Sequence, residues 1–116
     1  MDRAYFTITG TQYRYGKKFF EPGMKVILTK ELDNEFDSEA IRVELEGLGL
    51  VGYVANSPYT VLGESMSAGR LYDKIGDTSE GTVLYVLPNG VLCFIDLDDT
   101  PGKSVQQEEK MLSFKR

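Results

Sequence analysis

The 116-residue sequence contains no histidine, no tryptophan and a single cysteine, Cys93. Without histidine the chain lacks the usual general base near neutral pH, the base of most catalytic triads and a common zinc ligand. Cys93 lies in an apolar run, which favours a packed core residue over a nucleophile. No glycine-rich run leads from a strand into a helix, as a phosphate-binding loop requires. These absences predict a binding domain rather than an enzyme, with no cofactor and no metal ion.

Long apolar segments are also absent, since no run approaches the roughly 20 residues that a membrane span needs. The first residues lead directly into an alternating strand pattern, so no secretory signal is predicted. One cysteine cannot form an intrachain disulfide and fits a reducing compartment. With 41% hydrophobic residues, the chain is predicted to be a single globular domain in the cytoplasm, without a membrane partner.

Basic residues are outnumbered, 13 Lys and Arg against 18 Asp and Glu, which gives a formal net charge of −5. This balance argues against a protein that grips a long duplex, because such binding needs many phosphate contacts. The charges are unevenly placed: residues 14–30 hold five basic side chains and one acid, and residues 31–46 hold seven acids and one arginine. A basic patch beside an acidic rim and two solvated faces are both compatible with this pattern.

Six segments have the alternation, or the β-branched and aromatic composition, of strands: 5–9, 24–29, 40–46, 50–54, 82–87 and 91–96. Gly47 and Gly49 predict a hairpin between the third and fourth, and the Asn-Gly pair after Pro88 predicts one between the last two. We therefore predict a mainly β fold, a small, partly open, OB-like barrel over residues 1–97.

Two short helical segments are predicted within this barrel. Asn56 or Ser57 followed by Pro58 has the pattern of a helix start, and that helix would end near Gly63. A second short helix or turn is predicted around residues 70–74. Beyond residue 97 the chain becomes polar, and residues 98–116 are predicted to form a tail or a terminal helix.

Residues 33–44 match part of a calcium-loop template, with acids at positions 1, 3, 5, 7 and 12 of the loop: Asp33, Glu35, Asp37, Glu39 and Glu44. However, Ser38 occupies the position that requires glycine, and the flanking segments are predicted strands where that loop needs helices. The alternative is a turn in which Asx side chains bond their own backbone before a strand. We favour this turn.

Residues 33–43 read Asp-Asn-Glu-Phe-Asp-Ser-Glu-Ala-Ile-Arg-Val, preceded by Gly-Thr-Gln-Tyr at 10–13 and followed by Gly-Tyr-Val at 52–54. This resembles the HIRAN domain, whose members share Asp-Asn-x-aromatic-Asp-x-x-Ala-Ile-x-Val and then a strand with glycine, an aromatic or histidine, and an aliphatic residue. The resemblance covers about residues 5–95, and residues 56–73 look like small stand-alone bacterial members. It implies an OB-like barrel. Such domains also occur in SWI/SNF-type translocases that remodel stalled replication forks, where they capture the 3′ end of single-stranded DNA, a role in DNA repair.

The resemblance also implies roles for single residues. Tyr13 and Phe36 would sandwich the terminal bases, Asp37 would accept the hydrogen bond of the 3′-hydroxyl, and Tyr85 would be a further aromatic that contacts a base. Two positions depart from the pattern, because Gln12 stands where an arginine, and Asn56 where a lysine, would contact phosphate. The complete candidate site is Gln12, Tyr13, Arg14, Phe36, Asp37, Tyr53, Asn56 and Tyr85.

Residue type alone also permits structural roles at these positions. Phe36 would then be a core residue, Tyr13 a packing residue of its loop, and Asp37 a cap for the following strand. Two functions therefore stay open. The chain is either a module for the end of single-stranded DNA or a protein-interaction module with the same fold, whose acidic residues 31–46 face a protein partner.

Overall fold

The computed structural model describes residues 2–97, which form six antiparallel strands and one short α-helix. The strands are β1 (Arg3–Thr9), β2 (Lys25–Lys30), β3 (Ile41–Leu45), β4 (Gly49–Val54), β5 (Thr78–Leu87) and β6 (Gly90–Asp96), and the helix α1 is Ala68–Tyr72. Around the barrel the order is β1-β4-β3-β2-β5-β6, and β6 pairs with β1. The prediction of a small, mainly β barrel is confirmed. The barrel is closed, where we expected a partly open one.

The barrel encloses a core built from alternate residues of each strand. In β3, Ile41, Val43 and Leu45 are buried while Arg42 and Glu44 are only partly so. Phe6 and Ile8 of β1 face the same interior and are fully buried. Each such side chain stabilises the fold by about 1.5–3 kcal/mol relative to an exposed position. Alternation in the sequence therefore identified the inward face of these strands.

Gly52 allows the end of β1 to lie directly on β4. A Cβ at this position would be 2.8 Å from Ile8 Cγ2 and 2.8 Å from the Thr9 carbonyl oxygen, which is too close for any other residue without a shift of backbone. The short 3₁₀ helix Thr11–Tyr13 follows immediately, after Gly10 in the left-handed conformation at φ 77°. The tight approach at Gly52 thus sets where residues 11–14 emerge from the barrel.

The predicted hairpin between β5 and β6 is confirmed. Gly90, however, does not provide the turn conformation for which the Asn-Gly pair was expected. Leu87 pairs with Gly90, so the turn residues are Pro88 and Asn89, and neither they nor Gly90 has a positive φ. A Cβ on Gly90 would be 2.9 Å from Thr7 Cγ2. Gly90 is therefore required for packing against β1 and not for the turn conformation.

The helix predicted from Asn56–Ser57 to Gly63 is wrong. Residues 57–63 form turns, in which the Thr60 and Val61 amides donate to the Ser57 carbonyl at 2.9 and 3.0 Å. The Leu62 amide donates instead to the Thr7 hydroxyl at 3.1 Å. In a helix, the Leu62 amide would donate to a backbone carbonyl of the same segment. Here it is bonded to the barrel, so tertiary structure overrides the local helix signal.

The second helical prediction is confirmed, two residues earlier than expected. Ser67 caps α1, and its side chain accepts a hydrogen bond from the Arg70 amide. Within residues 2–97, no helix has the length and apolar composition needed to cross a lipid bilayer. The predicted polar tail or helix at 98–116 lies outside the described residues.

Candidate functional site

The loop between β2 and β3, residues 31–40, is called here the acidic loop, and Asn34 organises it. The Asn34 Oδ1 accepts hydrogen bonds from the amides of Phe36 at 2.8 Å and Asp37 at 2.9 Å. Its Nδ2 donates to Glu31 Oε1 at 2.9 Å. One side chain therefore connects the start of the loop to the two residues that the family resemblance singles out, and it fixes their backbone.

Asp37 makes a second Asx turn in the same loop. Its Oδ1 accepts from the Glu39 amide at 2.9 Å, and the Ala40 amide donates to the Asp37 carbonyl at 3.2 Å. The predicted turn, with Asx side chains bonding their own backbone, is confirmed. An ionised carboxylate has about four acceptor positions on two oxygens, so the Glu39 amide leaves Asp37 with capacity for a further donor. No group of three or more His, Cys, Asp and Glu within residues 2–97 has the arrangement of a metal site.

Tyr53 of β4 holds the acidic loop from the barrel side. The Tyr53 hydroxyl donates to Glu31 Oε2 at 2.7 Å. This hydrogen bond, followed by burial and by the negative charge of Glu31, raises the pKa of Tyr53 above its ordinary value, while Arg42 and Arg14 oppose the rise. Arg42, which pairs with Tyr53 across β3 and β4, lies 3.8 Å from Glu31 Oε2 and 3.0 Å from Glu44 Oε2. Glu31 is thereby held by a phenol, a guanidinium and an amide.

A second attachment joins the acidic loop to the segment after β4. The Asn56 Nδ2 donates to Glu39 Oε1 at 3.2 Å, and its Oδ1 accepts from the Gly69 amide at 2.9 Å. A Cβ on Gly69 would be only 2.6 Å from Glu39 Oε1, so the glycine makes room for this carboxylate. Asn56, at the position where the resemblance implies a phosphate-contacting lysine, thus links the acidic loop to α1.

Phe36 projects into solvent from the loop that these contacts hold. Its side chain is 98% exposed, so the interpretation of Phe36 as a core residue is wrong. Tyr13 is 80% exposed at the end of the 3₁₀ helix, where the Tyr13 amide donates to the Gly10 carbonyl at 3.2 Å. Large exposed aromatic rings on turns with a fixed backbone have the geometry of a stacking surface.

Comparison with known proteins supports the resemblance. The sequence profile of the HIRAN domain matches residues 1–89. This chain belongs to the HIRAN family. The HIRAN domain of human HLTF is similar in structure, with 17% identity and a TM-score of 0.51, covering 92% of this chain and 87% of the human one. A protein from Lactobacillus plantarum is also similar, with 21% identity and a TM-score of 0.50, covering 82% of this chain and 98% of the other. No curated protein sequence gives a significant match.

These two solved structures, at such low identity, establish the fold alone. The family assignment adds the class of function, because HIRAN domains are in general nucleic-acid-binding modules and not catalytic domains. The particular nucleic acid, and the residues that contact it, have to be argued from the geometry of this HIRAN domain.

The candidate residues of the HIRAN domain fall into three groups. Hydrogen bonds within the acidic loop, and from that loop to the barrel, connect Phe36, Asp37, Tyr53 and Asn56. Gln12, Tyr13 and Arg14 are exposed on the turn that packs on β4, and the Arg14 charge acts on the Tyr53 phenol. Tyr85 is separate from the other two groups. It lies on β5, opposite Leu92 of β6, and β5 does not pair with β4.

Three residues that support this site are not among the predicted site residues: Glu31, Asn34 and Arg42. Asn34 had a local signal, since an Asn side chain commonly bonds amides two residues further along a turn. Glu31 had none, because its partner Tyr53 is 22 residues away in the chain. Arg42 alternates with buried residues in β3, and the sequence predicted only the strand that contains it.

Proposed function

We propose that this HIRAN domain recognises the free 3′ end of single-stranded DNA. The observation that carries the proposal is the 98% exposed ring of Phe36, which directly precedes Asp37 on a turn where Asn34 Oδ1 accepts hydrogen bonds from both backbone amides. An aromatic face and an acceptor at adjacent positions suit a ligand that ends in a base and a hydroxyl group.

Stacking supplies the part of the affinity that does not depend on sequence. Phe36 and Tyr13 are the aromatic side chains that the resemblance assigns to the terminal bases, and both expose most of their surface. A base stacked on an aromatic side chain contributes about 1–3 kcal/mol, with little dependence on base identity. The backbone is already fixed by hydrogen bonds in the turns of both residues. Binding therefore costs little conformational entropy of the protein.

Asp37 supplies the selectivity for the end of the strand. A carboxylate accepts a hydrogen bond from a 3′-hydroxyl and repels a 3′-phosphate, so the same group favours one end chemistry and disfavours the other. The acidic loop adds to this repulsion with Glu35 and Glu39, both exposed. A continuous strand passing over the loop would bring several phosphates near these acids, whereas a strand end brings few.

The same charges limit the affinity. Gln12 and Asn56 carry no positive charge, and Asn56 is already bonded to Glu39 and Gly69. Arg14 remains as an exposed cation beside Tyr13. With so few phosphate contacts, we expect a dissociation constant in the micromolar range, about −8 kcal/mol. A role at free 3′ ends during DNA repair would follow from this proposal.

The test is fluorescence anisotropy with 5′-labelled single strands that carry either a 3′-hydroxyl or a 3′-phosphate. The wild-type protein should prefer the hydroxyl, and Asp37→Asn should reduce that preference, because the repelling charge is lost while an acceptor remains. Asp37→Ala should weaken binding of hydroxyl ends about ten- to a hundredfold, as expected for a hydrogen bond to a charged group.

Glu46→Gln is the matched control, because it removes the same charge at an exposed turn residue between β3 and β4, outside the acidic loop, and should leave the preference close to that of the wild type. Folding of each variant is checked by its thermal midpoint. If well-folded wild-type protein binds both ends equally, the proposal fails. In that case the acidic residues of 31–46, of which Asp33, Glu35, Glu39 and Glu46 are exposed, would favour the protein-interaction module.

A further inference from the structure

A groove of about 640 Å³ lies on the barrel beside the candidate site. Three segments form its walls: residues 8–17, the turns at 59–63, and the β5–β6 turn at 88–90. Its volume lies within the range of roughly 300–1,000 Å³ that is typical of ligand sites. None of the roles argued above for Phe36, Asp37 or Tyr53 uses this groove.

Hydrogen bonds between its walls hold the groove open. The Lys17 Nζ donates to the carbonyl of Leu87 at 3.0 Å and to that of Pro88, which joins the first wall to the β5–β6 turn. The Leu62 amide donates to the Thr7 hydroxyl at 3.1 Å, which fixes the second wall against β1. The groove is therefore formed before any ligand binds.

The charge of the groove differs from that of the whole protein. The chain has 18 acidic residues, yet within residues 2–97 no acidic residue lines the groove, where Lys17 is the charged residue. The ammonium of Lys17 has three donors, and the two carbonyls use two of them, so one remains for a ligand. Arg14 and Lys18 are exposed on the same segment. A groove that residues 2–97 line with a lysine and with no carboxylate suits a polyanion.

An exposed aromatic residue stands among the residues that line this groove. Tyr59 is 95% exposed, on a turn in which its amide donates to Ser57 Oγ at 3.1 Å. Gln12 also lines the groove and precedes Tyr13 directly, so the groove adjoins the proposed end site. An aromatic face, a cation and a polar lining are the elements with which proteins follow a single strand.

We propose that this groove binds the nucleotides that precede the captured 3′ end, with Tyr59 stacking on a base and Lys17 donating to a phosphate. The inference rests on the proposed function, because it assumes that a strand is the ligand. It adds a second subsite and predicts that affinity increases with strand length.

The test compares 5′-labelled oligo-dT strands of two and eight nucleotides, each with a free 3′-hydroxyl, by anisotropy. The eight-nucleotide strand should bind at least about fivefold more tightly, the effect of one further stacked base. Tyr59→Ala should remove this advantage without changing the affinity for the short strand or the preference for a 3′-hydroxyl. Tyr59→Phe keeps the ring and should behave as wild type.

Asn89→Asp tests the electrostatic part, since it adds a negative charge to the groove at an exposed turn position that accepts either residue. It should weaken the long strand about fivefold, from one repulsion at close range. Lys74→Gln is the control, because it changes the net charge by the same amount at an exposed residue outside the groove.

The groove proposal is overturned if length brings no gain, or if the gain survives both Tyr59→Ala and Asn89→Asp. In either case a retained preference for 3′-hydroxyl ends would leave the proposed function standing. If long strands bind through Tyr59 without an end preference, the groove stands and the proposed function fails. If no strand binds at all, both fail.

Discussion

The Tyr53 hydroxyl donates to Glu31 Oε2 at 2.7 Å and so joins the end of β4 to the residue that follows β2. These two strands are not neighbours, because β3 lies between them in the barrel. Through Asn34, the same glutamate reaches the amides of Phe36 and Asp37. The barrel therefore determines the geometry of the loop that carries the proposed ligand contacts.

Tyr53→Phe removes this hydrogen bond and keeps the ring. We expect a loss of about 1–2 kcal/mol in the free energy of unfolding, because the acceptor is charged but only part-buried. The preference for a 3′-hydroxyl should fall as well, since the acidic loop is less firmly held. Urea denaturation and anisotropy measure the two effects. Tyr59→Phe, whose hydroxyl is in solvent, should leave the free energy of unfolding unchanged; an equal loss there would argue against a specific role for Tyr53.

Phe36→Ala should weaken binding of single-stranded DNA by about 1–3 kcal/mol through lost stacking. The same change should hardly alter the thermal midpoint, because the ring is 98% exposed and contributes nothing to the core. Tyr13→Ala should behave in the same way. Leu32→Ala is the control, an apolar side chain of the same loop that is 67% exposed and offers no stacking face. A large loss of stability in Phe36→Ala would indicate that the ring packs on the protein after all.

Affinity should depend only weakly on salt. Each phosphate contact with a single strand contributes a slope of about −0.7 to the plot of log affinity against log salt concentration. One contact near the strand end and one at Lys17 predict a slope of about −1.4. Anisotropy titrations between about 50 and 300 mM salt, over which the Debye length falls roughly twofold, would measure it. A slope steeper than about −4 would show a long basic track that these two subsites do not provide.

Stability should fall at alkaline pH because of Cys93. Burial raises the pKa of this thiol from its ordinary value of 9.0 to about 12. The folded state thus retains the proton while the unfolded chain loses it, so the free energy of unfolding is unaffected below pH 9 and decreases from pH 9 towards pH 12. The steepest fall from one group is about 1.4 kcal/mol per pH unit.

Urea denaturation of wild type and Cys93→Ala at pH 7.5, 9 and 10 tests this, with the pH values chosen on either side of the ordinary thiol pKa. Cys93→Ala lowers stability at every pH by leaving a cavity, so the comparison concerns the slope with pH. The variant should have the shallower alkaline slope. The raised pKa of Tyr53 acts in the same direction in both proteins. Identical slopes would contradict the assignment to Cys93.

The sequence predicted all six strands, because alternation and β-branched composition are local properties of a chain that buries one face of a sheet. It also identified the Asx turns of the acidic loop, since Asn34 and Asp37 bond amides only two or three residues away. The helix predicted after Asn56 failed for the opposite reason. Its residues are committed to contacts that lie outside the segment, with Thr7, Glu39 and Gly69.

By itself, the sequence determined the strands, their buried faces, the family and the residue types available to a strand end. Only the tertiary structure decided that the barrel closes, that Phe36 projects into solvent, and that Glu31 meets Tyr53. It also decided that residues 2–97 form a groove that no carboxylate of this part of the chain lines, at the 3₁₀ helix Thr11–Tyr13. These features depend on contacts between segments far apart in the chain. Their free energy comes from packing and hydrogen bonds across the barrel, which no local pattern of residues encodes.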